Sequence, residues 1–414
     1  MKTRTVLSGA ALAAVTVFLF GCTQGTQGIF SELEQEEKIF SNNLGDGLVA
    51  ELVLLPSSGD NAPTYVVRKG VRLSQRRAVQ DDRSGEGIWQ VIQPPPGRTG
   101  AQFLAVTTDT LYGVYFTGGN SLSFGLYEYQ RNPEANAVGN WGENLYTGET
   151  LDQITGLSAV DLTGDGAAET LLMTAYARST GTSGPRSLVV NPHDAPRTLA
   201  MDGGGDDMRR AVVTTSGPAG AESTVWIVGN GLQYTTATNI TSGSAALTLA
   251  PAPVGFSDLA VYRVGTTEWL IATTVGGDIY AVAPENADDA DAWQEVGSRS
   301  GTSFTTLAVV SDGTAEGLLV FGTGATRSVV SRGLFDGAFS LVDGFPSISL
   351  REPRGNYSST QIRTTSVDRF FVDRITPADI DDVETLRLFA LTPNLGLFRT
   401  DDYSGSADET WVSE

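Results

Sequence analysis

Four of the six tryptophans close similar phrases: Gly87-Ile88-Trp89-Gln90, Gly139-Asn140-Trp141-Gly142, Asp291-Ala292-Trp293-Gln294 and Glu409-Thr410-Trp411-Val412. They stand 52, 152 and 118 residues apart, which reads as one, three and two steps of a unit near 51 residues. Seven units follow, with a surplus of about 16 residues that falls on 345–366. A period of this length constrains folding strongly, because one short unit cannot bury its own apolar face and must stack on its neighbours. The 414 residues, long enough for two or three ordinary domains, are therefore expected to form one continuous architecture beyond residue 44.

Within the units, short runs rich in Val, Leu, Thr, Tyr and Phe alternate with Gly, Asp, Asn, Ser and Pro, as at 103–107, 111–116, 126–129 and 318–321. These are strand and hairpin signals with no long helical period between them. The stretch 256–296 gives the order most clearly, with strands expected at 259–263, 269–273, 279–282 and 293–296. Where a tryptophan is missing, a short strand still closes the unit, at 197–201, 246–250 and 339–342. Four antiparallel strands at this period resemble a β-propeller blade. The resemblance implies an all-β, seven-bladed propeller with blades near 44–93, 101–146, 154–201, 208–250, 256–297, 303–343 and 367–414. On the outermost strand, a Trp ring would cover the gap between neighbouring blades while its N–H reaches solvent or a turn. Both terminal units contain four strands. Closure is therefore expected either by packing of the terminal blades or by addition of 39–43 to an edge.

The N-terminus has a different character. Lys2 and Arg4 precede an apolar run at 6–20 and the phrase Leu19-Phe20-Gly21-Cys22, the order of an export signal and too short for a membrane span. The phrase resembles a bacterial lipobox, which implies residues 1–21 as signal peptide and diacylglycerol on Cys22. Cys22 is the sole cysteine, so acylation would also remove the mispairing hazard of a lone exported thiol and supply enough buried chain for stable anchoring. Thr23 after that cysteine resembles outer-membrane sorting in Gram-negative bacteria. Residues 22–43 then read as a polar tether and one short helix at 31–38, opened by a capping box of Ser31 and Glu34.

Composition excludes much chemistry. One Cys and one His exclude an internal disulfide and a multi-His metal site. A formal charge of −21, more negative still once Lys2 and Arg4 leave with the signal, argues against nucleic acid. His193, in the turn Asn191-Pro192-His193-Asp194, reads as a surface imidazole, and the carboxylates gather in turns such as 202–207, 288–291 and 379–382, where solvated loops are the ordinary explanation.

One local motif points to a ligand. In Asp161-Leu162-Thr163-Gly164-Asp165-Gly166-Ala167-Ala168-Glu169, alternating oxygens converge in a tight turn and Gly166 supplies the bend. The phrase resembles the calcium loops of integrin-α-type (FG-GAP-like) propeller repeats. This implies Asp161, Thr163, Asp165 and Glu169 as a structural Ca²⁺ ligand set, with Thr163 standing where Asp or Asn is usual. Residues 312–316 and 379–384 are degenerate acidic turns at equivalent places. The phrases before Trp293 and Trp411 resemble decayed Asp-boxes of sialidase-like propellers, a structural motif in that family that supports blade topology and says nothing about glycoside cleavage. Arg351, Arg354, Tyr357 and Arg363, within the 345–366 insertion, reverse the sign of an acidic chain and are the expected contacts for a carboxylate-bearing partner. The function expected from these features is a monomeric, membrane-anchored, non-enzymatic scaffold for a protein or glycan. The alternative is a carbohydrate-active enzyme, a carboxylate glycosidase or lyase, with its site in the central funnel.

Overall fold

The structure, a computed structural model, describes residues 44, 48–56, 63–77, 89–117, 123–132, 138–146, 152–177, 186–194, 196–201, 208–229, 231–243, 246–264, 267–298, 301–311, 316–324, 328–334, 340–341, 350–351, 361–362, 369–375, 385–392, 396–400 and 412–413. Cys22, Arg354, Tyr357, Arg363, Trp411 and the expected helix at 31–38 lie outside them. Among the described residues no helix is long and apolar enough to cross a membrane.

The chain folds as an all-β propeller. Its described strands form seven four-stranded antiparallel sheets, each ordered in sequence from first strand to fourth, plus one two-stranded ladder. In chain order the sheets span 49–92, 100–144, 152–200, 210–250, 256–298, 302–341 and 369–413; we call them sheets 1 to 7. The first strands of consecutive sheets touch one another, and the first strand of sheet 1 touches the first two strands of sheet 7. The first strands therefore line the middle of a ring. At its seam, Tyr65 and Val67 of sheet 1 pack with Phe389 and Leu391 of sheet 7, and Arg387 donates to the Tyr65 hydroxyl at 3.0 Å.

The second strands explain why the fold forms. In Leu111–Phe116 and Thr224–Val228 the first five residues of each are buried without alternation, since a blade is covered on both faces. Successive side chains still point to opposite faces, so one strand feeds two seams. Leu111 and Tyr115 pack toward sheet 1, whereas Tyr112 and Val114 pack toward sheet 3. Val225 and Ile227 face sheet 3, and Trp226 and Val228 face sheet 5.

The repeated tryptophans fill seams too. Trp141 lies between sheets 1 and 2 against Tyr115 and Tyr129, ring centroids 5.0 and 5.2 Å away. Trp293 lies between sheets 4 and 5 against Phe256, and Trp89 packs at the seam of sheets 7 and 1. A Cβ on Gly113 would come within 2.8 Å of the Trp141 ring, so that glycine makes room for it. Two details differ from expectation. Trp89 and Trp293 stand one residue before the fourth strand, and the buried Trp141 Nε1 has no partner among the described residues, whereas Trp293 Nε1 donates to the Ala287 carbonyl at 3.3 Å.

The structure also contains a helix the sequence reading did not anticipate, Ala237–Ser242 in sheet 4, which we call α1. Four of its residues are Thr, Asn or Ser, poor helix formers. Its caps carry it: Thr236 accepts from Asn239 N, and Gly243 takes the left-handed conformation. Ile240 anchors it in the seam of sheets 3 and 4. The 345–366 insertion contributes the small ladder, in which Arg351 pairs with Gln361.

Candidate functional site

The first strands carry a recurring irregularity. Those of sheets 1, 2, 3, 5 and 6 each hold a one-residue β-bulge, at Ala50, Gln102, Thr155, Ser257 and Thr305. A bulge re-aims the residues beside it. In sheets 1 and 5 the residue after the bulge is acidic, and both carboxylates reach the next sheet. Glu51 accepts from Leu104 N of sheet 2 at 3.2 Å, and Asp258 accepts from Leu307 N of sheet 6 at 2.7 Å. Leu104 and Leu307 each stand two residues beyond their own bulge, so the two latches are the same device used twice.

Each latch also holds an arginine. Arg68 Nε lies 3.3 Å from Glu51. Arg210, from sheet 4, gives Nη1 to both Asp258 at 3.0 Å and the Leu307 carbonyl at 2.7 Å. Burial pushes the Glu51 carboxyl above its ordinary value, against the opposing pull of Arg68 and Arg369. A third carboxylate, Glu268, accepts from Thr215 N and Oγ1 of sheet 4 at 2.6 and 2.8 Å and from Arg263 Nε at 2.7 Å. All three join neighbouring sheets.

Between the first strands of sheets 3, 4 and 5 lies a cavity of about 380 Å³. Arg210 and Arg263 contribute to its lining, Val212 and Val261 give it apolar wall, and the Asp161 loop borders it. That loop joins the first and second strands of sheet 3. Asp161 Oδ1 accepts from Thr163 N, Thr163 Oγ1 and Gly164 N, and Oδ2 from Gly166 N, at 2.6–3.2 Å. Gly164 and Gly166 have φ of +78° and +90°, which glycine adopts without strain. Desolvation raises the Asp161 pKa, but the Gly166, Gly164 and Thr163 hydrogen bonds outweigh it and hold the carboxyl below its ordinary value. One ligand atom each from Asp161, Asp165 and Glu169 lies within 4.8 Å of the others. The donor set suits a hard cation, although the loop's own N–H groups already occupy both Asp161 oxygens and Thr163 Oγ1 donates to one.

The other candidates are placed less richly. Arg351 belongs to the small ladder. His193 lies by Tyr112, ring centroids 5.0 Å apart, with Nδ1 buried and without a partner among the described residues, and desolvation lowers its pKa. The acidic turns at 202–207 and 379–384, and 312–315 of the turn at 312–316, lie outside the described residues. Sequence reasoning passed over Glu51, Asp258, Glu268 and Arg210. For Asp258 a signal existed, in the parallel phrases Phe256-Ser257-Asp258-Leu259-Ala260-Val261 and Phe304-Thr305-Thr306-Leu307-Ala308-Val309.

No protein-family model matches the chain, and no curated protein matches it. Solved structures resemble it at the level of fold. One described as YCF48 bound to D1 peptide shares 10% identity over 88% of this chain and 94% of its own, with a TM-score of 0.48. Sqt1 from Chaetomium thermophilum shares 10% identity over 75% and 71%, with a TM-score of 0.44. A prolyl endopeptidase structure shares 12% identity over 90% of this chain and 50% of its own, with a TM-score of 0.48. At these values the comparisons carry no argument about activity or partner.

Proposed function

We propose that the chain is a lipid-anchored, seven-bladed propeller of a bacterial envelope that binds a protein or glycan through its loops and catalyses nothing. The observation that supports this reading is the use of the carboxylates that join neighbouring sheets. Glu51, Asp258 and Glu268 each accept backbone or side-chain donors from a neighbouring sheet, which suits a rigid display frame. A hydrolase instead needs an acid and a base in mutual reach of a substrate. Anchoring rests on Cys22 of the lipobox-like phrase, with outer-membrane sorting in a Gram-negative cell, and partner contact rests on Arg351, Arg354, Tyr357 and Arg363. Ca²⁺ bound by Asp161, Thr163, Asp165 and Glu169 would pin the sheet 3 hairpin and act structurally.

Intact-mass analysis of the membrane fraction tests the anchor: the expected chain begins at Cys22 and carries acyl groups, and a free thiol there removes the anchor. Melting with and without chelator tests the cation, for which no shift and no bound calcium would leave the loop a plain turn. A second reading, a carbohydrate-active enzyme, draws on Glu51 alone, because a carboxyl raised by burial suits a general acid. Turnover of any substrate in a glycan panel, abolished by Glu51→Gln, would favour that reading.

A further inference from the structure

We propose that the cavity between the first strands of sheets 3, 4 and 5 binds a carboxylate carried on an aliphatic stem, with Arg210 as the anchor. Arg210 is fixed at one nitrogen only. Its Nη1 bonds to Asp258 and to the Leu307 carbonyl, and Asp258 is itself held by Leu307 N and Leu259 N. Nε and Nη2 make no hydrogen bond among the described residues, and the side chain is 39% exposed. A guanidinium held this way has already lost most of its rotamer freedom, while two donors of its planar fork remain to meet a carboxylate.

The rest of the lining selects the remainder of the ligand. The cavity follows the first strand of sheet 4 from Arg210 past Val212 and Val213 to Thr215. At about 3.3 Å per residue that path is roughly 17 Å long. Apolar wall beside a few fixed polar groups is the ordinary make-up of a small-ligand site, and the volume of about 380 Å³ falls within the usual range for one. Asp161 also lines it, with a carboxylate that disfavours a second negative charge, and the other lining cation, Arg263, is already paired with Glu268 at 2.7 Å. A monocarboxylate with an uncharged far end is therefore preferred over a dicarboxylate. This site stands apart from the outer loops and does not depend on their having a partner.

The test is calorimetric titration of the full chain in detergent micelles. The probes are hexanoate, adipate, and the tripeptide Ala-Val-Ala with a free or an amidated C-terminus. Saturable binding of hexanoate or of the free-acid peptide is expected, with the amide and adipate weaker by about tenfold or more. Binding of hexanoate alone would identify a free acid as the ligand source, and binding of the peptide alone a chain terminus; either supports the site. Arg210→Gln should weaken binding at least about tenfold. Should that variant fail to fold, Val212→Phe leaves Arg210 intact, fills the cavity, and should abolish binding. Equal binding of acid and amide, binding unchanged in both variants, or no binding by any probe would overturn the proposal.

Discussion

Asp258 latches sheet 5 to sheet 6, and its removal has a calculable cost. Its carboxylate accepts three hydrogen bonds, from Leu307 N at 2.7 Å, Leu259 N at 2.9 Å and Arg210 Nη1 at 3.0 Å. Leu307 and Leu259 are fully buried, so Asp258→Ala leaves a buried N–H of sheet 6 without its acceptor, at about 1–3 kcal/mol. Arg210 is more than one-third exposed, and water screens its loss to below about 1 kcal/mol. The Leu259 bond is local and adds a similar amount. The expected cost is therefore about 3 kcal/mol. Asp258→Asn keeps one oxygen for Leu307 N but sets its amide nitrogen against Leu259 N, losing that local bond and the charge, so about 1–2 kcal/mol is expected. Urea unfolding followed by tryptophan fluorescence measures both, with Trp226 and Trp293 reporting from the adjoining seam. If the two substitutions cost the same, the inter-sheet hydrogen bond is not what Asp258 contributes, and the latch reasoning fails.

Other consequences follow from single residues. Trp226 is fully buried and donates Nε1 to Thr214 Oγ1 at 2.9 Å; Trp226→Phe should cost about 1–3 kcal/mol in urea unfolding, and Thr214→Val should cost less on top of it than alone. Gly166→Ala meets no atom within 4 Å, so its expected loss of about 1–2 kcal/mol comes from the left-handed backbone alone, and no change in melting would refute that conformation. For Glu51 the folded pKa lies above its ordinary 4.5, so the folded chain holds that proton longer than the unfolded chain does. Its contribution is fully present below that value and fades as pH rises through the folded pKa. The stability of the native chain relative to Glu51→Gln should thus fall as pH rises from about 4 to 7. A rise would mean that the Arg68 pairing outweighs burial.

The sheets were legible chiefly through their second strands, which have no exposed face to confuse the pattern. Runs such as 111–116 and 386–392 mark second strands directly, and the strands expected at 259–263, 269–273 and 279–282 each fall inside the observed Phe256–Val264, Thr267–Thr274 and Asp278–Val282. The tryptophan spacing was legible because seams recur with the sheets. Helix α1 escaped because tertiary packing of Ile240 and two caps override weak propensity. The latches escaped for a different reason. Glu51 and Asp258 look like ordinary acids in a strand, and only the ring brings Leu104 and Leu307 to them from 53 and 49 residues away. Arg210 likewise meets Leu307 across 97 residues, a distance over which no local pattern speaks.

That the first and last sheets meet, making one closed ring of the whole repeat, is tested most directly by a double-mutant cycle on Tyr65 and Arg387. They stand 322 residues apart in sequence and 3.0 Å apart in space, with the guanidinium 5.8 Å from the Tyr65 ring centre and both side chains buried. Unfolding free energies of Tyr65→Phe, Arg387→Met and the pair should show a coupling of about 1–2 kcal/mol. Strictly additive effects would contradict a closed ring.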